Sequence, residues 1–464
     1  SFDGGVQADG SCAQLIADGT SESSIVFNAD RTTNANALWH GLAFTDECNG
    51  GTDGRHVFDH VEIHNTEYAA ITAGSRPAPN QPSWATCGTS SQDCDVGEFD
   101  MSNMMFDNVE SAFSHGSGQG TKVTMTAFNV NNARFACFDF AENTIATLSG
   151  TPSNPSTMTG CNTDENSNGG AIINTFGSNA GSLTMVNVDI VDSMVNLINI
   201  DLQNVIISNV DASLSNVVQQ SGVGLGLSHG NAASAVVSDF DAPDYDHSLI
   251  YAAQEVSLTN VDLGLSSSYF DIKPFGTSSQ ALGASGSNAV LDNVVAGNIY
   301  IHRTAPGTFT DVVTSGTIWL QDSSFAQSIT ISGAEAPVAL IVLDVAGGSD
   351  VTITDSNVGR FVSYAATGGN TVELFNVDLC PLVNNEAMYL LRSTVTMIEN
   401  DMSNCFTPSP GVNAYYNIGG NSRLNLIAST FDDGSGAKDC ADATGNTGNC
   451  YYGVASGSDV YFGG

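Results

Sequence analysis

A short frame, apolar-x-apolar-x-(Asn/Asp)-apolar-x-apolar, recurs along this chain and restricts its fold more than any other feature. Its clearest copies set Leu183 and Met185 before Asn187, with Val188 and Ile190 after it. Val256, Leu258, Asn260, Val261 and Leu263 repeat the pattern, as do Val372, Leu374, Asn376, Val377 and Leu379. Looser copies centre on His60, Asn108, Ala127, Asn209, Asp239, Asn293, Asp311 and Asp355. Alternation of period two is the mark of a half-buried strand. Across the central residue the alternation slips out of phase, so the strand must bend there. Asn and Asp tolerate the left-handed backbone region and hydrogen-bond nearby backbone groups, which suits a tight corner between two sheets. Stacked coil on coil, they predict a side-chain ladder.

Neighbouring centres lie about 18 to 60 residues apart, around a unit of about 18–24 with some coils skipped or enlarged. That unit is too short for a propeller blade, and no leucine-rich-repeat pattern is present. The inward aliphatic stacks and corner asparagines resemble those of the pectin-lyase-like right-handed parallel β-helix superfamily, over the greater part of the chain. The resemblance implies an all-β, right-handed parallel β-helix (solenoid), here with disulfide-stapled ends. It implies no activity, because fold does not carry function. The expected layout is an N-terminal cap and first coil over 1–50, a β-helix over 51–435 and a C-terminal cap over 436–464. Gly/Ser/Asn-rich or Pro-rich stretches at 75–98, 146–182, 218–234 and 274–288 read as loops projecting from coils, and no linker marks a domain boundary.

Of 464 residues, 13% are charged, with 11 Lys+Arg against 49 Asp+Glu and a formal net charge of −38. Such a surface repels nucleic acid and anionic lipid and leaves no basic footprint for phosphate, so neither partner is expected. The longest apolar run, Val338 to Val345 with Asp344 inside it, is too short to span a bilayer. Ten cysteines, Cys12, Cys48, Cys87, Cys94, Cys137, Cys161, Cys380, Cys405, Cys440 and Cys450, show no zinc spacing and favour disulfides in an oxidising, extracellular setting. Local pairing is expected: Cys12–Cys48, Cys87–Cys94, Cys137–Cys161, Cys380–Cys405 and Cys440–Cys450. Ser1 reads as a processed N-terminus. The one Asn-x-Ser/Thr, at Asn154, is disqualified as a glycan acceptor by Pro155.

Resemblance to this superfamily brings polysaccharide lyases and glycoside hydrolases into view. Asn162-Thr163-Asp164, Ser228-His229-Gly230 and Asp271-Ile272-Lys273 follow the order of polygalacturonase-type motifs, but they lack the intervening Asp-Asp pair, the leading Gly and the Arg. A lyase needs a cationic base, and the few cations are scattered along the whole chain. His56, His60 and His64 with Glu62 form the densest histidine cluster. The frame places Val61 and Ile63 inward, Glu62 and His64 outward, and His60 at a corner. Asp239, Asp241, Asp244, Asp246 and His247 surround Tyr245 as an acidic patch. Calcium finds its best spacing at Asp164, Asn166 and Asn168 before Gly169, which matches the first half of an EF-hand-like loop, although Thr175 holds the place of the usual bidentate Glu. Thr352/Thr354 and Thr394/Thr396 are too few for an ice-binding array.

The expected function is non-catalytic: an extracellular or cell-surface structural or adhesive protein, a surface or filament subunit, self-associating and in contact with a cell surface or polysaccharide. The alternatives are a carbohydrate-active enzyme on the same scaffold and a viral spike.

Overall fold

A computed structural model describes residues 2–3, 14–29, 37–45, 55–73, 97–115, 121–140, 144–165, 168–174, 181–213, 223–228, 234–242, 247–251, 255–265, 269–273, 288–302, 307–322, 328–344, 348–365, 368–379, 386–400, 414–419, 421–427, 450–454 and 458–463. The described elements are all strands. They fall into two compact units, Ser1–Ala252 and Ala253–Gly464. Within each unit the strands pair in parallel with the equivalent strand of the next coil, an arrangement consistent with a parallel β-solenoid.

In the first unit a short-strand sheet runs through Phe2–Asp3, Leu42–Thr45, Ile71–Ala73, Phe113–His115, Ala136–Phe140, Gly170–Asn174, Asn196–Ile200, Val223–Ser228 and His247–Tyr251. The opposite sheet is made of longer strands that carry the frame and bend at its centre. Ile16–Asp18 and Ile25–Phe27 both lie on Arg55–His64, followed by Glu98–Val109, Lys122–Ala133, Ile145–Ser149 with Ser156–Cys161, Ser182–Val191, Asn204–Asp211 and Ser234–Asp241. The second unit repeats the plan. Its short-strand sheet begins at Tyr269–Lys273 and ends at Cys450–Val454, and its bent sheet runs from Glu255–Asp262 to Asp459–Gly463.

The frame sets which residues face inward. Leu183, Met185, Val188 and Ile190 are buried in the first unit, and Val256, Leu258, Val261, Leu263, Val372, Leu374, Val377 and Leu379 in the second. Thr259 is half-buried and Asp262 exposed. The early coils of the first unit fill their interior with rings: Phe99 lies 5.1 Å from Phe44 and 5.4 Å from Phe113, edge to face. That geometry suits the quadrupoles of packed aromatics.

The bend has the cause anticipated from the frame. His60, Ala127, Asn187, Asn209, Asp239, Asn260, Asn293, Asp311, Asp355 and Asn376 all take φ between 50° and 56°. One centre is corrected. Asn103, not Asn108, is the register partner of His60 and Ala127, whereas Asn108 belongs to a second corner stacked on Asn65. The strand Glu98–Val109 passes both corners, so two frames overlap in its sequence. The long gap after Asp311 hides a coil whose corner is Gly333, at φ 64°. A Cβ there would run into the Asp311 carboxylate, which leaves glycine as the residue that fits.

The expected ladder forms in pieces. Asn209 Nδ2 donates to Asn187 Oδ1 at 2.7 Å, Asn293 to Asn260 at 3.0 Å and Asn376 to Asp355 at 2.6 Å. A second ladder runs from Asn108 to Asn65 and on to Asn28, each step 2.8 Å. Buried polar groups are likewise paired coil to coil: Ser363 and Ser393 hydroxyls meet at 2.8 Å, and Asn400 Oδ1 accepts from the Val377 amide at 2.6 Å.

Two stretches read as loops contain strands. Residues 146–182 include most of Ile145–Ser149, all of Ser156–Cys161 and all of Gly170–Asn174, and residues 218–234 include Val223–Ser228. Parallel pairing on both edges supplies what composition lacked, since Ala146, Leu148 and Met158 suffice to fill the inward face. Residues 75–96 and 274–287 lie outside the described residues. Within 436–464, expected as a cap, Cys450–Val454 and Asp459–Gly463 continue the parallel pairing of the coils before them.

Candidate functional site

The histidine-bearing strand Arg55–His64 is the most chemically varied element of the first unit. Alternation turns His56 inward, where its ring lies 4.4 Å from Phe44 and 4.9 Å from Phe99. The Leu15 amide donates to His56 Nδ1 at 3.2 Å, which places the ring proton on Nε2. Burial lowers the His56 pKa from 6.5 to about 4, so the ring is neutral at physiological pH. It is a packed core group.

Val61 and Ile63 are buried, and His60 sits at the corner, as the frame required. His60 Nδ1 lies 3.1 Å from Asp59 Oδ1 without the alignment of a hydrogen bond. Asp59 accepts from Ser102 Oγ at 2.7 Å and Asn103 Nδ2 at 2.8 Å, and these two bonds lower its pKa. Further along, His64 Nε2 meets Glu62 Oε2 at 3.1 Å, and His64 Nδ1 lies 3.8 Å from Asp107 Oδ2. The hydrogen bond to His64, then one to Ser24, lowers the Glu62 pKa. Trp39 Nε1 donates to the His64 carbonyl at 2.7 Å. Arg55 pairs with Asp100, and Lys122 Nζ with Glu98 Oε1 at 3.1 Å. Most of these groups reach across to an adjacent coil. Their chemistry is that of braces holding register.

Asn162 is fully buried at φ 63° and donates from Nδ2 to the Met194 carbonyl at 3.0 Å, so it caps a corner between coils. Cys161, beside it, is joined to Cys137 across 24 residues. Asp164 and Asn168 are exposed on the turn that follows, while Asn166 lies outside the described residues. Cys12, Cys48, Cys87, Cys94, Cys380, Cys405 and Cys440 also lie outside them, and Cys450 opens the strand Cys450–Val454. Of the remaining hydrolase-like motif, His229 and Gly230 are outside the described residues, and Ile272 is buried in the strand Tyr269–Lys273. Asp239 holds a corner and Asp241 is exposed; Asp244, Tyr245 and Asp246 are outside the described residues. Among the described residues no group of three or more His, Cys, Asp or Glu has metal-holding geometry.

Sequence reasoning missed an acidic column. Asp189 pairs in register with Asp211, and Asp211 with Asp241, on the outward face just past the corner of the first unit. Burial, then the neighbouring Asp211 charge, raises the Asp189 pKa. The signal was present as (Asn/Asp)-apolar-Asp at Asn187, Asn209 and Asp239. It needed the register to become a column. On the second unit's bent sheet, Thr308, Thr330 and Thr352 stack in register beside Thr310, Ser332 and Thr354, until Glu373 and Phe375 interrupt both columns.

No helix among the described residues is long and apolar enough to cross a membrane. No family model, no curated protein and no solved structure matches the chain.

Proposed function

We propose that this protein is a non-catalytic, extracellular structural or adhesive subunit, built on a right-handed parallel β-helix of the pectin-lyase-like kind with disulfides at both ends. The observation that carries this reading is the use made of the catalytic-looking side chains. His56 is packed between two rings, Asn162 is a buried corner cap, and Asp59 and His64 brace adjacent coils. An unpaired strand edge would supply a joint to a neighbouring copy or a surface, because strand addition satisfies its N–H and C=O groups. Residues 1–8 and 459–464 are the proposed joints. Calcium, held by Asp164, Asn166 and Asn168, is the proposed ion of this reading, offsetting the acidic surface as subunits meet.

The test follows assembly size by light scattering, with and without calcium, for the full chain and for a chain lacking residues 1–8. Assembly that shrinks on truncation and grows with calcium supports the reading. A chain that never assembles but cleaves a neutral or acidic polysaccharide overturns it in favour of an enzyme.

A further inference from the structure

We propose that the segment 14–29 is an acid-released cap: protonation of His56 breaks its bond to the Leu15 amide and frees the segment from the strand Arg55–His64 while the later coils stay folded. The inference stands on this contact and does not depend on the assembling role above.

The segment is lightly held. It lies on Arg55–His64 through two three-residue strands, with register partners at 57–59 and 61–63, whereas Glu98–Val109 pairs with the other edge at nine register positions. Of residues 14–29, Ala17 alone is buried. Ile16 and Val26 turn outward, 64% and 54% exposed. Few buried apolar contacts mean a small free energy of local opening.

His56 couples this opening to pH. Its ring is buried against Phe44 and Phe99, and its unprotonated Nδ1 accepts from the Leu15 amide at 3.2 Å. Beside that bond the Val57 amide donates to the Leu15 carbonyl at 2.9 Å, and the Gly19 amide to the Asp59 carbonyl at 2.8 Å. A proton on Nδ1 turns the acceptor into a donor facing the Leu15 N–H. It also sets a charge among apolar rings. Among the described residues, the charged side chains of the elements around His56 are Asp18, Arg55, Asp59, Glu98 and Asp100, and alternation turns all of them outward. His60, Glu62 and His64 stand beside Ile25–Phe27, the histidines next to Asp59 and to Glu62 with Asp107.

Opening the cap returns the His56 ring to water, where it binds a proton near pH 6.5; in the closed chain burial lowers that value to about 4. Proton uptake therefore favours the open form, and the cap loosens as pH falls from 6.5 towards 4. Glu62 adds to this at lower pH, because the bond from Ser24 of the same segment helps to lower its pKa and is weakened when the carboxylate is protonated. Release uncovers one edge of Arg55–His64, whose N–H and C=O groups are then open to strand addition.

Amide hydrogen exchange of the full chain between about pH 7 and 4.5, corrected for the pH dependence of chemical exchange, tests this. The Leu15, Gly19 and Val57 amides should open about twentyfold more often at pH 5 than at pH 7, while amides of Ser182–Val191 keep their protection. His56→Gln keeps an acceptor for the Leu15 amide and does not titrate, so it should remove the change. The imidazole signals of His56 in the unaltered chain cover the case in which that variant folds poorly: they should titrate with the same midpoint as the loss of protection, and a different midpoint overturns the proposal. Protection of the three amides that stays constant over this range, or that is lost together with that of Ser182–Val191, overturns it too. So does a folded His56→Gln chain that opens as the wild type does.

Discussion

At Asn209 the backbone is held at φ 52° while the side chain donates to Asn187, so one residue both permits the corner and ties it to the coil before. Asn209→Ala removes the bond and leaves a Cβ residue without Asn's tolerance for that φ; we expect a loss of about 1–2 kcal/mol in denaturant melts, and a smaller loss for Asn209→Gly. Equal losses in the two variants would contradict the conformational part of that account. His56 sets an acid limit. The unfolded chain takes up a proton near pH 6.5 but the folded chain only near 4, so stability falls as pH drops through that window and is untouched above it. Thermal melts between about pH 7 and 4.5 should show a fall on the order of 2 kcal/mol that flattens in His56→Gln; parallel curves would remove His56 as the cause. In the acidic column, Asp211→Asn relieves repulsion with Asp189 and keeps the oxygen that accepts from the Ser213 amide. Its melting temperature should exceed that of wild type at low salt, with the gain fading as salt screens the column.

The elements were legible wherever the aliphatic frame was clean. Leu258 is fully buried and Thr259 two-faced, as alternation demands, so Leu258→Ala should cost about 2–5 kcal/mol and Thr259→Ala little. Equal effects on urea midpoints would put the register in doubt. Legibility failed where one strand carries two corners, as at Asn103 and Asn108, and where a coil closes without Asn or Asp, as at Gly333. It also failed over 146–182, because Gly, Ser and Thr read as loop in one chain segment yet pair well when coils above and below fix the backbone. The disulfide between Cys137 and Cys161 closes a 24-residue loop, and replacing both cysteines with serine should lower stability by about 3 kcal/mol in calorimetry. The braces around His64 were harder to foresee. Glu62 is near in sequence, but Asp107 arrives only because its coil is stacked in register.

On the scale of the whole molecule, 49 acidic against 11 basic side chains make association a contest between repulsion and the contacts that two copies offer. Raising ionic strength from low to moderate should therefore promote assembly, the opposite of what a nucleic-acid binder would show. The candidate site was legible as residues and not as a role: the same histidines, asparagines and aspartates suit catalysis or scaffolding, and their use depends on which coils they touch. Negative-stain electron microscopy of the full chain at moderate salt with calcium tests the central claim most directly. The account predicts copies joined into filaments or other assemblies, and a field of separate, unassociated molecules at every concentration would contradict it.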